Sequence, residues 1–128
     1  MDSPQGKTTL CGMSLTIYHN PRCSKSREAL ALLQARGLTP AVIDYQQSPP
    51  GLAQLQVLRQ RLGMPARAMV RSGEAPYEAL GLADPTLGDD ALLAAIAAHP
   101  ILLQRPIVVN GERALIARPP ELALQLLG

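Results

Sequence analysis

A short apolar segment that runs into a turn and then a cysteine constrains this chain more than any other part of its sequence. Residues 15–18 are rich in apolar and β-branched side chains, residues 19–22 form a turn around Asn-Pro, and Cys23 follows. A helix-like stretch begins directly after it, and the basic residues Arg22, Lys25 and Arg27 lie around the cysteine. A helix N-terminus and nearby cations favour thiolate over thiol. We therefore predict that Cys23 is a reactive nucleophile rather than a small apolar residue at a strand–helix junction.

The length and composition indicate one domain with an aliphatic core. The chain has 128 residues, 47% of them hydrophobic, and contains neither Phe nor Trp. Its formal net charge of +2 is too small to indicate nucleic-acid binding. No apolar run approaches the roughly 18 residues of a membrane span. Two cysteines without a secretory leader predict a reducing compartment, the cytoplasm, and without a long heptad repeat we expect a monomer.

The N-terminal segment is polar and differs in composition from the rest of the chain. We expect residues 1–13 to be a disordered tail, with Met13 as an alternative start, and residues 14–128 to be a single domain. Cys11 lies in this tail and is not part of a Cys-x-x-Cys motif. A disulfide between Cys11 and Cys23 would require the tail to fold back, so we expect both thiols to be reduced.

Periodicity and turn signals predict an alternation of strands and helices. Strands are predicted at 15–18, 41–45, 107–109 and 114–117, and helices at 24–36, 52–62, from 89 or 90 to about 99, and from 119 or 120 onward. Leu52, Leu55, Leu58 and Leu62 form one stripe of the second helix. The last helix carries Leu122 and Leu126 on one face. Residues 64–88 are expected to form short helices and loops.

This order, β-α-β, then a helical segment at about 50–100, then β-β-α, is the α/β thioredoxin-like plan with inserted helices. Asn110-Gly111 is the hairpin turn between the last two strands. In that plan a cis proline facing the cysteine precedes the third strand, and Pro106 occupies this place. We therefore predict a thioredoxin-like fold with a cis bond at Pro106.

Several motifs occur in one order and at compatible spacing, and together they resemble a known family. They are Tyr18-His19-Asn20-Pro21-Arg22-Cys23 with Ser26-Arg27, Pro49-Pro50, Arg67-Ala68-Met69-Val70-Arg71, Pro76-Tyr77-Glu78-Ala79-Leu80-Gly81-Leu82-Ala83, His99-Pro100-Ile101-Leu102, Arg105-Pro106-Ile107-Val108-Val109 and Arg118-Pro119. Over residues 15–127 the chain resembles the glutaredoxin-coupled arsenate reductases, a family with the thioredoxin fold.

The resemblance implies that Cys23 attacks arsenate and that Arg71, Arg105 and Arg118 surround the oxyanion. Such a reaction requires a thiolate of low pKa and fixed positive charge. The product would be arsenite. Glutathione would be a co-substrate and glutaredoxin a partner, with no bound cofactor. Cys23 has no neighbouring cysteine that could resolve an intermediate formed on its sulfur. An external thiol is therefore expected to act as the reductant.

Two further side chains belong to the set that the resemblance implies. His19 matches a residue held to lower the pKa of the thiolate, and Ser26 matches a hydroxyl at the start of the helix near the same sulfur. From the residues alone, a role near Cys23 and an ordinary place in the turn are equally consistent with His19. It could lower the pKa of the Cys23 thiol only while protonated. The chain departs from the best-studied members at Ser24-Lys25, where they carry a glycine and a small hydroxyl residue. This departure bears on the identity of the substrate more than on the assignment of the fold.

Other classes of protein fit the sequence less well. A phosphatase-type loop requires Cys-x5-Arg, and the sixth residue after Cys23 is Ala29. The His and Cys residues lack zinc-site spacing, so no metal is expected. Redox-sensing transcription regulators of the same fold carry Cys-x-x-Cys, whereas this chain has Ser26. Two alternatives stay open: a thiol oxidoreductase with a different small substrate, which Ser24-Lys25 favours, and, less favoured, a non-enzymatic redox or transcription regulator of the same fold.

Overall fold

A computed structural model describes residues 15–126, so the predicted tail, Met13 and Cys11 lie outside the described residues. The strands are β1 (Leu15–His19), β2 (Ala41–Asp44), β3 (Ile107–Asn110) and β4 (Arg113–Ile116). The helices are α1 (Ser24–Ala35), α2 (Leu52–Leu62), α3 (Ala75–Ala79) and α4 (Asp89–Ala98), with 3₁₀ segments at Ala66–Met69, Pro100–Leu102 and Pro120–Leu126. Each strand lies within one residue of its predicted bounds.

The four strands form one mixed sheet in the order β2-β1-β3-β4. β1 runs parallel to β2 and antiparallel to β3, and β3 runs antiparallel to β4. With α1 as the crossover and the helices between β2 and β3, this is the predicted thioredoxin-like fold, which is confirmed. The predicted cis bond at Arg105-Pro106 is present, and Arg118-Pro119 is a second cis bond that was not predicted.

The register of the sheet brings distant parts of the chain to one end. His19 pairs with Asp44, Tyr18 pairs with Ile107, and Ile107 also pairs with Ile116. The C-terminal ends of β1, β2 and β4 therefore meet the N-terminal end of β3. Cys23, Tyr45, Arg105 and Arg118 all follow or precede these ends by a few residues, which is why they converge.

The sheet separates two apolar clusters because successive side chains of a strand point to opposite faces. Ile17 and Val108 pack under α1 and the C-terminal 3₁₀ segment. Ile107 and Val109 pack on the other face, against α2 and α4. Each fully buried Leu or Ile contributes about 1.5–3 kcal/mol relative to an exposed one. The rigid layers formed in this way hold the end of the sheet where the cysteine lies.

Two sequence predictions about packing are wrong. The C-terminal segment is a 3₁₀ helix rather than an α-helix, and it buries Pro120, Ala123 and Leu126, not Leu122 together with Leu126. Its period of three residues per turn explains this pattern. Leu52 is 40% exposed, because it is the first residue of α2 and lies outside the apolar cluster that Leu55 and Leu58 join. Leu55 and Leu58 are buried as expected.

Candidate active site

Cys23 occupies the position directly before the first residue of α1. Its backbone is extended, with φ −98° and ψ 122°, and its side chain is partly exposed. The turn before it is held by two local hydrogen bonds: the Cys23 N–H donates to the Asn20 carbonyl, and the Arg22 N–H donates to Asn20 Oδ1, both at 3.0 Å. Asn-Pro favours such a turn. The thiol is therefore presented at the helix N-terminus, as the sequence predicts.

The surroundings of Cys23 favour the thiolate. Burial raises the pKa of the thiol, but the backbone N–H of Ser26, the side chain of Arg105 and the backbone N–H of Lys25 together outweigh it, so the pKa lies below its ordinary value. The Cys23 sulfur forms no hydrogen bond that caps α1, so these donors lower the pKa by their attraction for the negative charge of the thiolate. The helix N-terminus supplies the backbone donors.

Basic residues adjacent in sequence contribute less to this effect than their positions suggest. The Arg27 guanidinium donates to the Pro21 carbonyl at 2.8 Å. The Lys25 Nζ lies 4.0 Å from Glu28 on the exposed face of α1. The positive charges next to the thiol are those of Arg105 and Arg118, which only the tertiary fold brings near.

The lowered pKa predicts a shifted pH profile of alkylation. We expect Cys23 to react with iodoacetamide with a midpoint below that of glutathione measured in the same buffer. Arg105→Ala should raise the midpoint, whereas Arg22→Ala, the matched control at an exposed site, should leave it unchanged. Mass spectrometry of the peptide that contains Cys23 separates its reaction from that of Cys11. A wild-type midpoint at or above that of glutathione would contradict the thiolate assignment.

Two of the predicted arginines lie beside the cysteine. Arg118 Nη1 is 4.0 Å from Cys23 Sγ and donates to the backbone carbonyl of Arg105 at 3.0 Å. Arg105 is 8% exposed. Its Nη1 donates to the Ile101 carbonyl at 3.0 Å, and its Nη2 donates to Glu74 Oε2 at 3.2 Å. The structure thus places one buried and one exposed guanidinium next to the thiol.

Arg71 joins this group through a shared cleft and a shared carboxylate. Arg71 and Arg118 line a polar cleft of about 190 Å³ together with Ser72, Gly73 and Gln104. The Arg71 Nε–H donates to Glu74 Oε2 at 3.2 Å, the same oxygen that Arg105 contacts. The three arginines named from the sequence therefore converge at one end of the sheet.

His19 and Ser26 contact each other. His19 Nδ1 lies 2.6 Å from Ser26 Oγ, and the Asn20 N–H donates to the same oxygen at 3.0 Å. Burial lowers the pKa of His19, Asp44 raises it in part, Arg27 lowers it, and the balance is below the ordinary value. His19 is thus mainly neutral at neutral pH, and its Nδ1 can accept a hydrogen bond from the Ser26 hydroxyl. This geometry favours an indirect role, in which both side chains fix the loop that presents Cys23.

The buried Ser26 hydroxyl offers a stability prediction. Ser26→Ala removes the partner of the Asn20 N–H and of His19, and we expect a loss of about 1–3 kcal/mol in the free energy of unfolding. Ser24→Ala, at an exposed position in the same turn, should change it by less than about 0.5 kcal/mol. Urea denaturation of both variants measures this. Equal stability of the two would mean that the loop does not depend on the hydroxyl.

Sequence reasoning missed two residues of the site, Glu74 and Tyr45. An acidic residue three positions after Arg71 is a visible signal for an ion pair, but its contact with Arg105 depends on the fold. Tyr45 follows β2 and is fully buried. Burial raises the pKa of its hydroxyl, and nearby Arg105 lowers it in part. Within residues 15–126, Tyr45 Oη and Arg105 Nε are both buried without a hydrogen-bond partner.

The described part of the chain gives no indication of a metal or membrane site. Among residues 15–126, no three His, Cys, Asp or Glu side chains cluster in a way that could hold a metal ion. Over the same residues, no helix has the length and apolar character needed to cross a bilayer.

Comparison with known proteins agrees with the motifs and the fold. The ArsC family profile matches residues 18–126. An arsenate reductase of Neisseria meningitidis is 49% identical over 108 residues, covering 84% of this chain and 92% of that protein. The uncharacterised protein YfgD of Escherichia coli is 48% identical over 113 residues, covering 88% and 95%. The structure of arsenate reductase from Vibrio cholerae superposes with a TM-score of 0.86 at 51% identity, covering 89% and 98%. The chain belongs to the ArsC family.

Proposed function

We propose that this protein reduces arsenate to arsenite, with Cys23 as the nucleophile and glutathione and glutaredoxin as the reductants. The observation that carries the proposal is a thiol of lowered pKa next to Arg105 and Arg118. Guanidinium groups bind tetrahedral oxyanions through paired, directed hydrogen bonds. Relatives named arsenate reductase support arsenate as that anion.

In the first step the Cys23 thiolate attacks the arsenic atom of bound arsenate. A sulfur–arsenic bond forms and an arsenic–oxygen bond breaks, and the departing oxygen takes protons from solvent and leaves as water. Arsenic remains pentavalent in this adduct. Arg105 and Arg118, with Arg71 across the cleft, stabilise the negative charge on the remaining oxygens.

In the second step glutathione thiolate attacks Cys23 Sγ in the adduct. A sulfur–sulfur bond forms, and the electron pair of the broken sulfur–arsenic bond stays on arsenic, which leaves as arsenite. Glutaredoxin then takes up the glutathionyl group by thiol–disulfide exchange and releases the Cys23 thiolate. A second glutathione regenerates glutaredoxin, so one arsenate and two glutathione give one arsenite, one glutathione disulfide and one water.

The need for an outside thiol follows from the residues around Cys23. Cys23 is the one cysteine in residues 15–126, and the position three residues later holds the buried Ser26. The sulfur is partly exposed, so a second thiol can approach it from solvent. Because the cycle consumes reduced thiols, a cytoplasmic location is part of the proposal.

An omission assay tests the proposed function. The full mixture contains the protein, arsenate, glutathione, glutaredoxin, glutathione reductase and NADPH, and NADPH oxidation is followed by its absorbance. We expect turnover in the full mixture and a loss to background when arsenate, glutathione or the protein is omitted. Turnover that persists without glutathione would contradict the proposed reductant. No turnover with arsenate, while Cys23 alkylates rapidly at neutral pH, would indicate a thiol enzyme with another substrate.

A further inference from the structure

One carboxylate oxygen connects the two arginines that flank the polar cleft. Glu74 Oε2 accepts from Arg71 Nε and from Arg105 Nη2, each at 3.2 Å. The Glu74 side chain is only 20% exposed, and those of Arg71 and Arg105 are 24% and 9% exposed. Both ion pairs are thus shielded from water. In such a site, Coulomb attraction and hydrogen-bond direction have more effect than at an open surface.

The contacts leave donors of Arg71 available and hold Arg105 in place. Arg71 uses only its Nε–H in hydrogen bonds to other residues of the 15–126 range, so its two terminal nitrogens have no protein acceptor there. Arg105 is fixed from two directions, by Glu74 and by the Ile101 carbonyl. Without an acceptor between them, the two cations would repel each other. Glu74 therefore sets both their separation and their orientation.

We infer that Glu74 is a positioning residue of the oxyanion site, which holds Arg71 and Arg105 in place and remains paired with them while the anion binds. This inference rests on the proposed function, because it assigns Glu74 to the same site. The opposite role is that of a placeholder, in which the carboxylate occupies the anion's place and an incoming oxyanion displaces it. The two roles predict opposite effects of removing the carboxylate.

The geometry allows charge and position to be separated by substitution. Both arginines donate to the same oxygen, and the single carbonyl oxygen of glutamine has two lone pairs. Glu74→Gln can therefore keep both hydrogen bonds while it removes the negative charge. Glu74→Ala removes both the negative charge and the hydrogen bonds to the two arginines. Glu74→Asp keeps the charge, but its side chain is one methylene shorter, so the carboxylate lies farther from the arginines. Glu78→Ala, at an exposed position of α3, is the control for the loss of one negative charge.

The experiment measures KM for arsenate, kcat and the alkylation midpoint of Cys23 in each variant. Positioning predicts that Glu74→Ala raises KM by about 10- to 100-fold, since a displacement near 1 Å at a site can cost about 100-fold. Its Cys23 midpoint should move up, because Arg105 is released from its place beside the thiol. Glu74→Gln should stay within about threefold of wild type, and Glu78→Ala should match wild type. If Glu74→Ala does not fold, Glu74→Asp should still raise KM.

A lower KM in both Glu74→Ala and Glu74→Gln would establish the placeholder role and overturn the inference. Unchanged KM and midpoint in a folded Glu74→Ala would overturn it as well. If wild type fails to reduce arsenate, the proposed function fails, and the Cys23 midpoint then decides the role of Glu74. A midpoint raised in Glu74→Ala but not in Glu74→Gln supports positioning, and a midpoint lowered in both contradicts it.

Discussion

Cys23→Ser is expected to abolish arsenate reduction, with kcat lower by at least about a thousandfold. The first chemical step requires a thiolate, and a serine hydroxyl is neither ionised near neutral pH nor able to form the disulfide that transfers electrons to arsenic. The Cys23 sulfur is also the atom that glutathione attacks in the second step, so the substitution blocks both the first and the second step. Turnover in the coupled assay, with saturating glutathione and glutaredoxin, measures the loss.

Cys11→Ser is the matched control for this prediction, since it removes the other thiol of the chain. We expect its turnover to lie within about twofold of wild type, because glutathione and glutaredoxin supply the resolving thiols. Circular dichroism should show both variants folded. Loss of turnover in Cys11→Ser would mean that Cys11 resolves the intermediate, and the external-thiol scheme would be wrong.

Arg105→Ala is expected to lower kcat/KM for arsenate by about 100- to 1,000-fold, the usual effect of removing one donor that stabilises a developing oxyanion. The same change should raise the pKa of Cys23, since Arg105 is one of the groups that lower it. Both effects act on the first step. Steady-state kinetics and the alkylation profile measure them separately, and Arg36→Ala on the exposed end of α1 controls for net charge.

The stability of Arg105→Ala separates a functional role from a structural one. Glu74 keeps its ion pair with Arg71 in this variant, so the carboxylate is not left buried and unpaired. We therefore expect a loss of about 1–3 kcal/mol in the free energy of unfolding. This is less than the roughly 3–5 kcal/mol lost when a buried charge is left without its partner. A large loss of stability with unchanged kinetics would assign Arg105 to the fold instead.

Local signals were sufficient for most of the elements and for the position of Cys23 directly before a helix. The turn at Asn20-Pro21, the helix after Cys23 and the hairpin at Asn110-Gly111 depend on residues close in sequence, and the structure contains them. The 3₁₀ form of Pro120–Leu126 could not be read locally. Its leucines suit an α-helix equally well, and the tighter period is the one that buries Pro120, Ala123 and Leu126 against α1 and the sheet.

The convergence of the arginines depends on long-range pairing rather than on any local pattern: sheet register places Arg105 and Arg118, and the bridge between Val70 and Leu103 places Arg71. Arg71 and Arg118 look like ordinary surface cations in isolation, and only the family motifs identified them before the fold was known. Arg105 had one further signal, since it directly precedes the predicted cis proline. Glu74 and Tyr45 belong to the same site, but no motif marked them. Glu74 contacts Arg105 and Tyr45 is buried near it, because the pairing of β1 with β2 and β3 brings these parts of the chain to one end of the sheet.

The ratio of arsenite formed to NADPH consumed tests the central claim most directly. Arsenite is quantified by chromatography in the complete coupled mixture, for wild type and for Cys23→Ser side by side. The scheme transfers one electron pair from NADPH through glutathione to arsenic, so wild type should form one arsenite for each NADPH and Cys23→Ser should form none above background. No arsenite from wild type, or equal amounts from both proteins, would contradict a Cys23-dependent reduction of arsenate.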